Sequence, residues 1–158
     1  MNKLIYAIFF YLLSSMVIAN ETILEPLMQS KWYNSEQAEI TLDEIIDSDV
    51  VIVNFWASWC APCIREIPSI IKLADQKSTQ VIFINVDNDG GLSSSQMMSK
   101  FKTFNILWLL DLYGYHRSQL GILSLPISII LEKQSNKCIL VQGERNWSKA
   151  FLESELTK

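Results

Sequence analysis

The apolar positions of this chain fall into blocks with two distinct spacings. Val50 to Trp56 is an almost unbroken β-branched and aromatic run, the pattern of a strand covered on both faces. Cys60 and Cys63 follow, separated by Ala61-Pro62, and apolar residues then recur at Ile64, Ile67, Ile71 and Ala74 with helical spacing. Proline suits the first turn of a helix, where its missing N–H would lack a partner anyway. Pro68 is expected to kink this helix, which resumes through Lys72 and Gln76. Val81 to Val86 is a second buried run, so strand, helix and strand make a β-α-β unit with parallel strands.

Further on, Ser93 or Ser94 is expected to cap a helix carrying Met97, Met98, Phe101 and Phe104, of which Met97, Phe101 and Phe104 form a core-facing stripe. Ile106 to Leu110 is a third apolar strand, followed by a turn at Asp111 to Tyr115. A short helix from Arg117 to Leu120 stops at Gly121, a residue suited to a C-terminal cap. Ile127 to Leu131 and Cys138 to Val141 flank the polar Gln134-Ser-Asn-Lys137 and read as an antiparallel hairpin. Ser148 to Leu156 completes the chain as a helix packing Phe151 and Leu152.

Ahead of the central run, Trp32-Tyr33 and Glu39-Ile40 predict two short strands around a polar turn. Thr41 and Glu44 have capping-box spacing for a short helix through Ile46. This region reads as a lid over one sheet edge, and residues 20–31 before it as a linker. Residues 1–19 stand apart. Lys3 is followed by an apolar stretch from Leu4 to Ile18, and Val17-Ile-Ala19 has small residues suited to cleavage. The stretch is short for a spanning helix, which needs about 20 apolar residues. It is expected to be a cleaved signal peptide or a retained membrane anchor. Residues 32–158 form the single globular domain.

A formal net charge of −4, with no basic stripe or basic helix, argues against a nucleic-acid partner. A hydrophobic fraction of 49% and a charged fraction of 19% argue against disorder. Three cysteines are too few for a disulfide-stapled scaffold.

The chemistry concentrates at Cys60 and Cys63. They sit where a buried strand hands over to a helix N-terminus, whose orphan N–H groups and dipole favour negative charge. A thiol there ionises more easily, and the thiolate is the attacking species in disulfide exchange. Cys60, at the open end of the turn, is the expected nucleophile. Cys63, one turn deeper, then attacks the mixed disulfide. The competing account, half of a zinc site, needs two further ligands, and only Cys138 and the lone His116 remain. Cys138 reads as a small buried apolar residue and His116 as a surface residue. Asn85-Val-Asp87-Asn-Asp89-Gly90 imitates a calcium loop but lacks its leading Asp and its bidentate Glu, so it reads as a strand-end turn.

The stretch Asn54-Phe-Trp-Ala-Ser-Trp-Cys-Ala-Pro-Cys63, with Glu66-Ile-Pro68, resembles the active-site segment of the thioredoxin superfamily. More narrowly, it resembles the exported TlpA/ResA-like thiol-disulfide oxidoreductases. The resemblance implies an α/β, thioredoxin-like fold: a central mixed β-sheet flanked by helices on both faces, here with an N-terminal extension. It implies that Pro126 is a cis-proline placing the backbone of Leu125 beside Cys60, where a substrate strand could pair. The alternative is an ordinary trans proline entering a strand. Asn54 stands where thioredoxin itself carries a titratable Asp, and Asn cannot titrate. Glu66 matches a Glu of the ResA type and is implied as proton acceptor for Cys63, the alternative being a solvated helix carboxylate. Trp59, expected to be exposed, with Ala61, Pro62 and Leu125, would contact substrate.

The implied activity is exchange with protein thiols and disulfides in the periplasm, in soluble form or tethered by the N-terminal segment. A membrane thiol electron donor would recharge the protein, and apocytochrome c is an example substrate. No cofactor or metal is required, because the cysteines carry the electrons. The segment between Val86 and Ile106 is too short for the inserted helical domain of dedicated oxidants, which favours a reductase. An oxidant or isomerase, or a binding or chaperone-like domain with incidental exchange, are the alternatives.

Overall fold

The computed structural model describes residues 23–74, 79–100 and 106–157. Among these residues seven strands, β1 (Trp32–Tyr33), β2 (Glu39–Ile40), β3 (Val50–Trp56), β4 (Thr79–Asn85), β5 (Ile106–Leu110), β6 (Ile127–Glu132) and β7 (Lys137–Gln142), make one mixed sheet in the order β2-β1-β5-β4-β3-β6-β7. β3 (Val50–Trp56) lies between parallel β4 (Thr79–Asn85) and antiparallel β6 (Ile127–Glu132). It is buried from Val51 onward, as its apolar run predicts. β5 (Ile106–Leu110) extends the parallel side and β7 (Lys137–Gln142) the antiparallel side. α3 (Ala61–Ala74) makes the crossover from β3 to β4 and runs through Pro68. Its expected continuation to Gln76 lies outside the described residues, as does the segment 1–19. None of the described helices is long and apolar enough to cross a membrane.

The region expected as a lid instead widens the sheet. β1 (Trp32–Tyr33) and β2 (Glu39–Ile40) form a hairpin, and Tyr33 pairs with Leu110 on β5. A strand there satisfies N–H and C=O groups that the edge of β5 would otherwise expose. The linker expected over residues 20–31 also needs correction. Residues 23–29 are helical (α1), Leu27 is fully buried, and its carbonyl accepts the Trp32 Nε1–H at 3.3 Å. Ile23, Leu24 and Met28 pack on the core beside it, at the one-face spacing of a short amphipathic helix.

α2 (Leu42–Ile45) starts as its capping box predicts, with Glu44 Oε2 accepting the Thr41 N–H at 2.8 Å. α4 (Leu92–Lys100) is not capped by Ser93 or Ser94. Asp89 accepts from the N–H groups of Gly91 (3.0 Å) and Ser93 (2.8 Å). Gly90 and Gly91 both have positive φ, which lets the chain turn back over that carboxylate. The stripe expected from Met97, Phe101 and Phe104 lies outside the described side chains. α5 (Tyr115–Gln119) begins earlier than expected because the buried Asp111 accepts from the N–H groups of His116 and Arg117 (3.0 and 2.9 Å). α6 (Lys149–Leu156) is capped by Ser148, whose Oγ accepts the Phe151 N–H, and buries Leu152.

Residues paired across a sheet point to the same side. Asn54, Phe83, Trp108 and Ser128 are therefore on one face, and α3 covers it. Phe55 is on the other face and meets Trp32, ring centroids 5.8 Å apart. His116 of α5 lies against Trp32 at 5.1 Å. His116 is thus half-buried, not the surface residue expected from its polar neighbours. Helices and core side chains cover both faces of this thioredoxin-like α/β sheet.

Candidate functional site: the Cys60–Cys63 turn

β3 ends at Trp56, and four residues carry the chain to the start of α3. Three contacts fix that turn. The Trp56 carbonyl accepts from Val86 N–H at 2.9 Å, and the Ala57 carbonyl accepts from Cys60 N–H at 3.1 Å. Both carboxylate oxygens of the buried Asp87 accept from Ser58 N–H, each at 3.1 Å. Asn85 Nδ2 also donates to Asp87, at 2.9 Å. The calcium-like stretch is therefore a strand-end turn, as expected, with a further task that its sequence does not display: it grips the loop before the cysteines.

Cys60 and Cys63 are joined in a disulfide. Cys60 is at the helix entrance, and Cys63 is fully buried one turn in. The Cys63 N–H points at Cys60 Sγ, 3.3 Å away. It is one of the helix-start amides without an intrahelical acceptor, so it is placed to stabilise negative charge on that sulfur. Trp59 stands out at 68% exposure, as expected, while Cys60 beside it is only 5% exposed. Ala61 is exposed and Pro62 half-buried in the first turn.

Glu66 is on the same buried face of α3 as Cys63, three residues on, and is only 2% exposed. The alternative of a solvated carboxylate is thereby removed. Asn54 Nδ2 donates to its Oε1 at 2.8 Å. Its Oε2 accepts from the Arg145 backbone N–H at 3.0 Å and from Trp147 Nε1–H at 3.3 Å. Burial pushes the Glu66 carboxyl above the ordinary carboxylate range, and these hydrogen bonds to its charged form pull partly back. Asn54 also donates to Ser128 Oγ at 2.8 Å, which ties β3 to β6 at the level of this cluster. Arg65, next in sequence, turns outward and pairs with Glu144, Nε to Oε1 at 2.9 Å.

The Leu125–Pro126 peptide is cis. Pro126 immediately precedes β6, whose Ile127 is opposite Phe55 of β3. The proline is therefore at the end of the sheet from which the cysteine turn emerges. Its carbonyl accepts from Gly143 N–H at 2.9 Å. Leu125 is half-buried against the core. Cys138 is on β7, half-buried and unbridged, with its thiol pushed up by burial; it lies far along the hairpin from the turn.

Sequence reasoning missed Asp87, Ser128 and Trp147. Asp87 shows in the sequence only as part of the calcium-like stretch, Ser128 only as a polar residue near the start of a strand, and Trp147 as a generic aromatic before a helix. The available clue was β-strand phase: Asn54 and Ser128 are polar interruptions in two otherwise apolar strands.

The Redoxin family profile matches residues 24–138. Thioredoxin 1 of Nostoc sp. is 31% identical over 94 residues, covering 57% of this chain and 85% of that protein. The thioredoxin of Chlorobaculum thiosulfatiphilum is 39% identical over 67 residues, 40% of this chain, and the match spans only 62% of it. The thiol-disulfide oxidoreductase ResA of Bacillus thuringiensis is 26% identical over 113 residues, 68% of this chain and 62% of that protein. Among solved structures, a secreted Mycobacterium tuberculosis disulfide oxidoreductase superposes with a TM-score of 0.67. It is 18% identical, and the match covers 84% of this chain and 97% of that one, so it speaks for the fold. With a buried strand leading into C-x-x-C, a cis-proline just before the adjoining strand and this breadth of matching sequence, the chain belongs to the redoxin family, as a TlpA/ResA-like member of the thioredoxin superfamily.

Proposed function

We propose that this protein is a thiol-disulfide oxidoreductase acting on protein disulfides outside the cytoplasm, working as a reductase. One observation carries the reading: the Cys60–Cys63 disulfide sits at a helix entrance with a buried carboxylate, Glu66, on the face behind it. In the reduced protein the Cys60 thiolate attacks one sulfur of a substrate disulfide. A mixed disulfide forms, and the first substrate thiolate leaves and takes up a proton. Cys63 then gives its proton to Glu66 and attacks Cys60 Sγ. The Cys60–Cys63 bond closes, the substrate's second sulfur leaves as a thiolate, and it takes the proton held by Glu66. Two protein thiols are oxidised and one substrate disulfide is reduced to two thiols.

Trp59, Ala61, Pro62 and Leu125 are the proposed substrate contacts, with Pro126 shaping the docking edge. The reductase direction is supported by the short connection between β4 and β5, which has α4 in place of an inserted domain. A location in the periplasm, soluble or tethered through residues 1–19, is supported by the leader-like composition of that segment. The thiol:disulfide interchange protein HelX of Rhodobacter capsulatus is 41% identical over 49 residues, 31% of this chain and 27% of that protein, which supports the exchange chemistry over the alternative of a binding domain. A membrane thiol donor and apocytochrome c remain the proposed electron source and example substrate.

The test is trapping. Cys63→Ala, expressed in the native host, should hold substrates on Cys60 as mixed disulfides that a reductant releases, while Cys60→Ser should trap none. Recovery of the same adducts from Cys60→Ser, or no cycling of the purified wild type between dithiol and disulfide, would overturn the reading.

A further inference from the structure

The segment that follows β7, Gly143 to Trp147, crosses the open side of Glu66 and is fastened at both ends. Gly143 N–H donates to Pro126 O at 2.9 Å, and Trp147 N–H donates to Ser69 Oγ on α3 at 3.1 Å. The same Ser69 hydroxyl donates to the Glu66 carbonyl at 2.8 Å. Between these points Arg145 N–H and Trp147 Nε1–H both aim at Glu66 Oε2, and Glu144 is latched to Arg65 from outside. Trp147 is 4% exposed, and its ring stands edge-on to Phe151 of α6 at 5.2 Å.

We propose that residues 143–147 are a strap governing the ionisation of Glu66, with Trp147 as a positioning residue through which the strap sets how readily Cys63 loses its proton. The inference rests on the exchange reading above and adds to it a residue that acts through Glu66.

The strap acts in two opposed ways. Its indole ring keeps water from the carboxyl, which favours the neutral acid, and its two N–H groups favour the carboxylate. The other groups facing Glu66 are accounted for. Asn54 on β3 donates to Oε1 and cannot titrate, and Ser128 on β6 reaches Glu66 only through Asn54. On α3, Cys63 is the titratable neighbour on the buried face, while Arg65 points outward. The Glu144 carboxylate opposes the Glu66 anion, and the Arg145 guanidinium is turned to the Glu144 carbonyl at 2.8 Å. Trp147 is therefore the side chain that combines exclusion of water with donation.

These two roles separate by substitution. Trp147→Phe keeps an aromatic ring and deletes the donor, so the Glu66 titration midpoint should move up. Trp147→Ala deletes both and admits water, so the midpoint should move down toward the ordinary carboxylate range. The midpoint is read by carbon NMR of the Glu66 side-chain carboxyl in the oxidised protein, with Glu66→Gln to assign the signal. In the reduced protein, a mixed disulfide on Cys60 with 2-nitro-5-thiobenzoate reports the pH profile of its release by Cys63. That profile should shift upward in Trp147→Phe and lose the shift when Glu66→Gln is added.

A purely structural Trp147 would change thermal stability in both variants and leave the midpoint where it is. That result, or a midpoint that moves while the release profile does not, overturns the proposal. If Trp147→Ala does not fold, the Phe variant decides alone. Should the wild type prove unable to exchange disulfides at all, the functional reading fails, and the carboxyl titration, which needs no turnover, still decides the strap.

Discussion

Asn54 Nδ2 lies 2.8 Å from Glu66 Oε1, joining the middle of the sheet to the helix that carries both cysteines. Both side chains are almost wholly buried. A buried polar pair of this kind is costly to break by halves, because the remaining partner is left without a hydrogen bond. Asn54→Leu should therefore lower stability by about 1–3 kcal/mol and push the Glu66 carboxyl further up, since one donor to its charged form is lost. Chemical denaturation of the oxidised protein, beside the Glu66 titration, checks both parts.

The raised Glu66 carboxyl also makes stability depend on pH with a definite sign. Below the ordinary carboxylate range, folded and unfolded chains both hold this proton. As pH rises, the unfolded chain releases it first, so the native state binds more protons and its stability falls until Glu66 itself ionises in the fold. Glu66→Gln should abolish that decline, so its stability relative to the wild type improves steadily as pH rises through the window. Denaturant midpoints of the oxidised proteins from about pH 4 to about pH 8 measure it. A constant difference across that range would contradict the account.

Asp87 is expected to control the cysteine turn from a distance. Asp87→Ala removes the acceptor for Ser58 N–H and for Asn85 Nδ2, at a cost of about 1–3 kcal/mol. The turn then loses one of its three fixings, so Cys60 should react faster with a bulky alkylating reagent while protein-disulfide reduction slows. Asp87→Asn, which keeps an acceptor oxygen, should recover most of the stability.

Trp59 should behave in the opposite manner. At 68% exposure it has little folding role, and Trp59→Ala should leave stability within about 0.5 kcal/mol of the wild type. Its loss should raise KM for a protein disulfide and leave the rate with a small disulfide nearly unchanged. Parallel assays with one protein and one small substrate separate these effects.

Trp32→Ala should be the most damaging of these changes, at about 3–5 kcal/mol. The ring touches Phe55 and His116, and its N–H is bonded to the Leu27 carbonyl, so the substitution loosens α1, α5 and the face of β3 together. Thermal unfolding would show it as a lowered midpoint with the disulfide intact.

What could be read in advance follows from how locally each feature is encoded. β3, the cysteine turn and α3 are contiguous, and their apolar spacing changes period at Cys60, so strand, turn and helix were all legible. The hairpin of β6 and β7 was legible for the same reason. Where a feature depended on chain segments meeting from afar, the sequence misled. Residues 20–31 looked like a linker because only Trp32 and the core reveal what Leu27 packs against. Ser93 and Ser94 were plausible caps until the two glycines bent Asp89 over the helix start. His116 sits among polar neighbours, yet Trp32 covers it. At the site, Glu66 is legible without its setting, since Asn54 and the Arg145–Trp147 segment come from two stretches of chain distant from it.

The Gly143–Pro126 hydrogen bond restricts any guest polypeptide that aligns with the proline loop. Proline brings no amide hydrogen, and its oxygen is already engaged from within. Leu125 is then the first position upstream with both a donor and an acceptor in its main chain. A guest strand docked as proposed would therefore set its register on Leu125 and the residues before it, never on the proline, and the guest's own spacing from there would decide which of its sulfurs is presented.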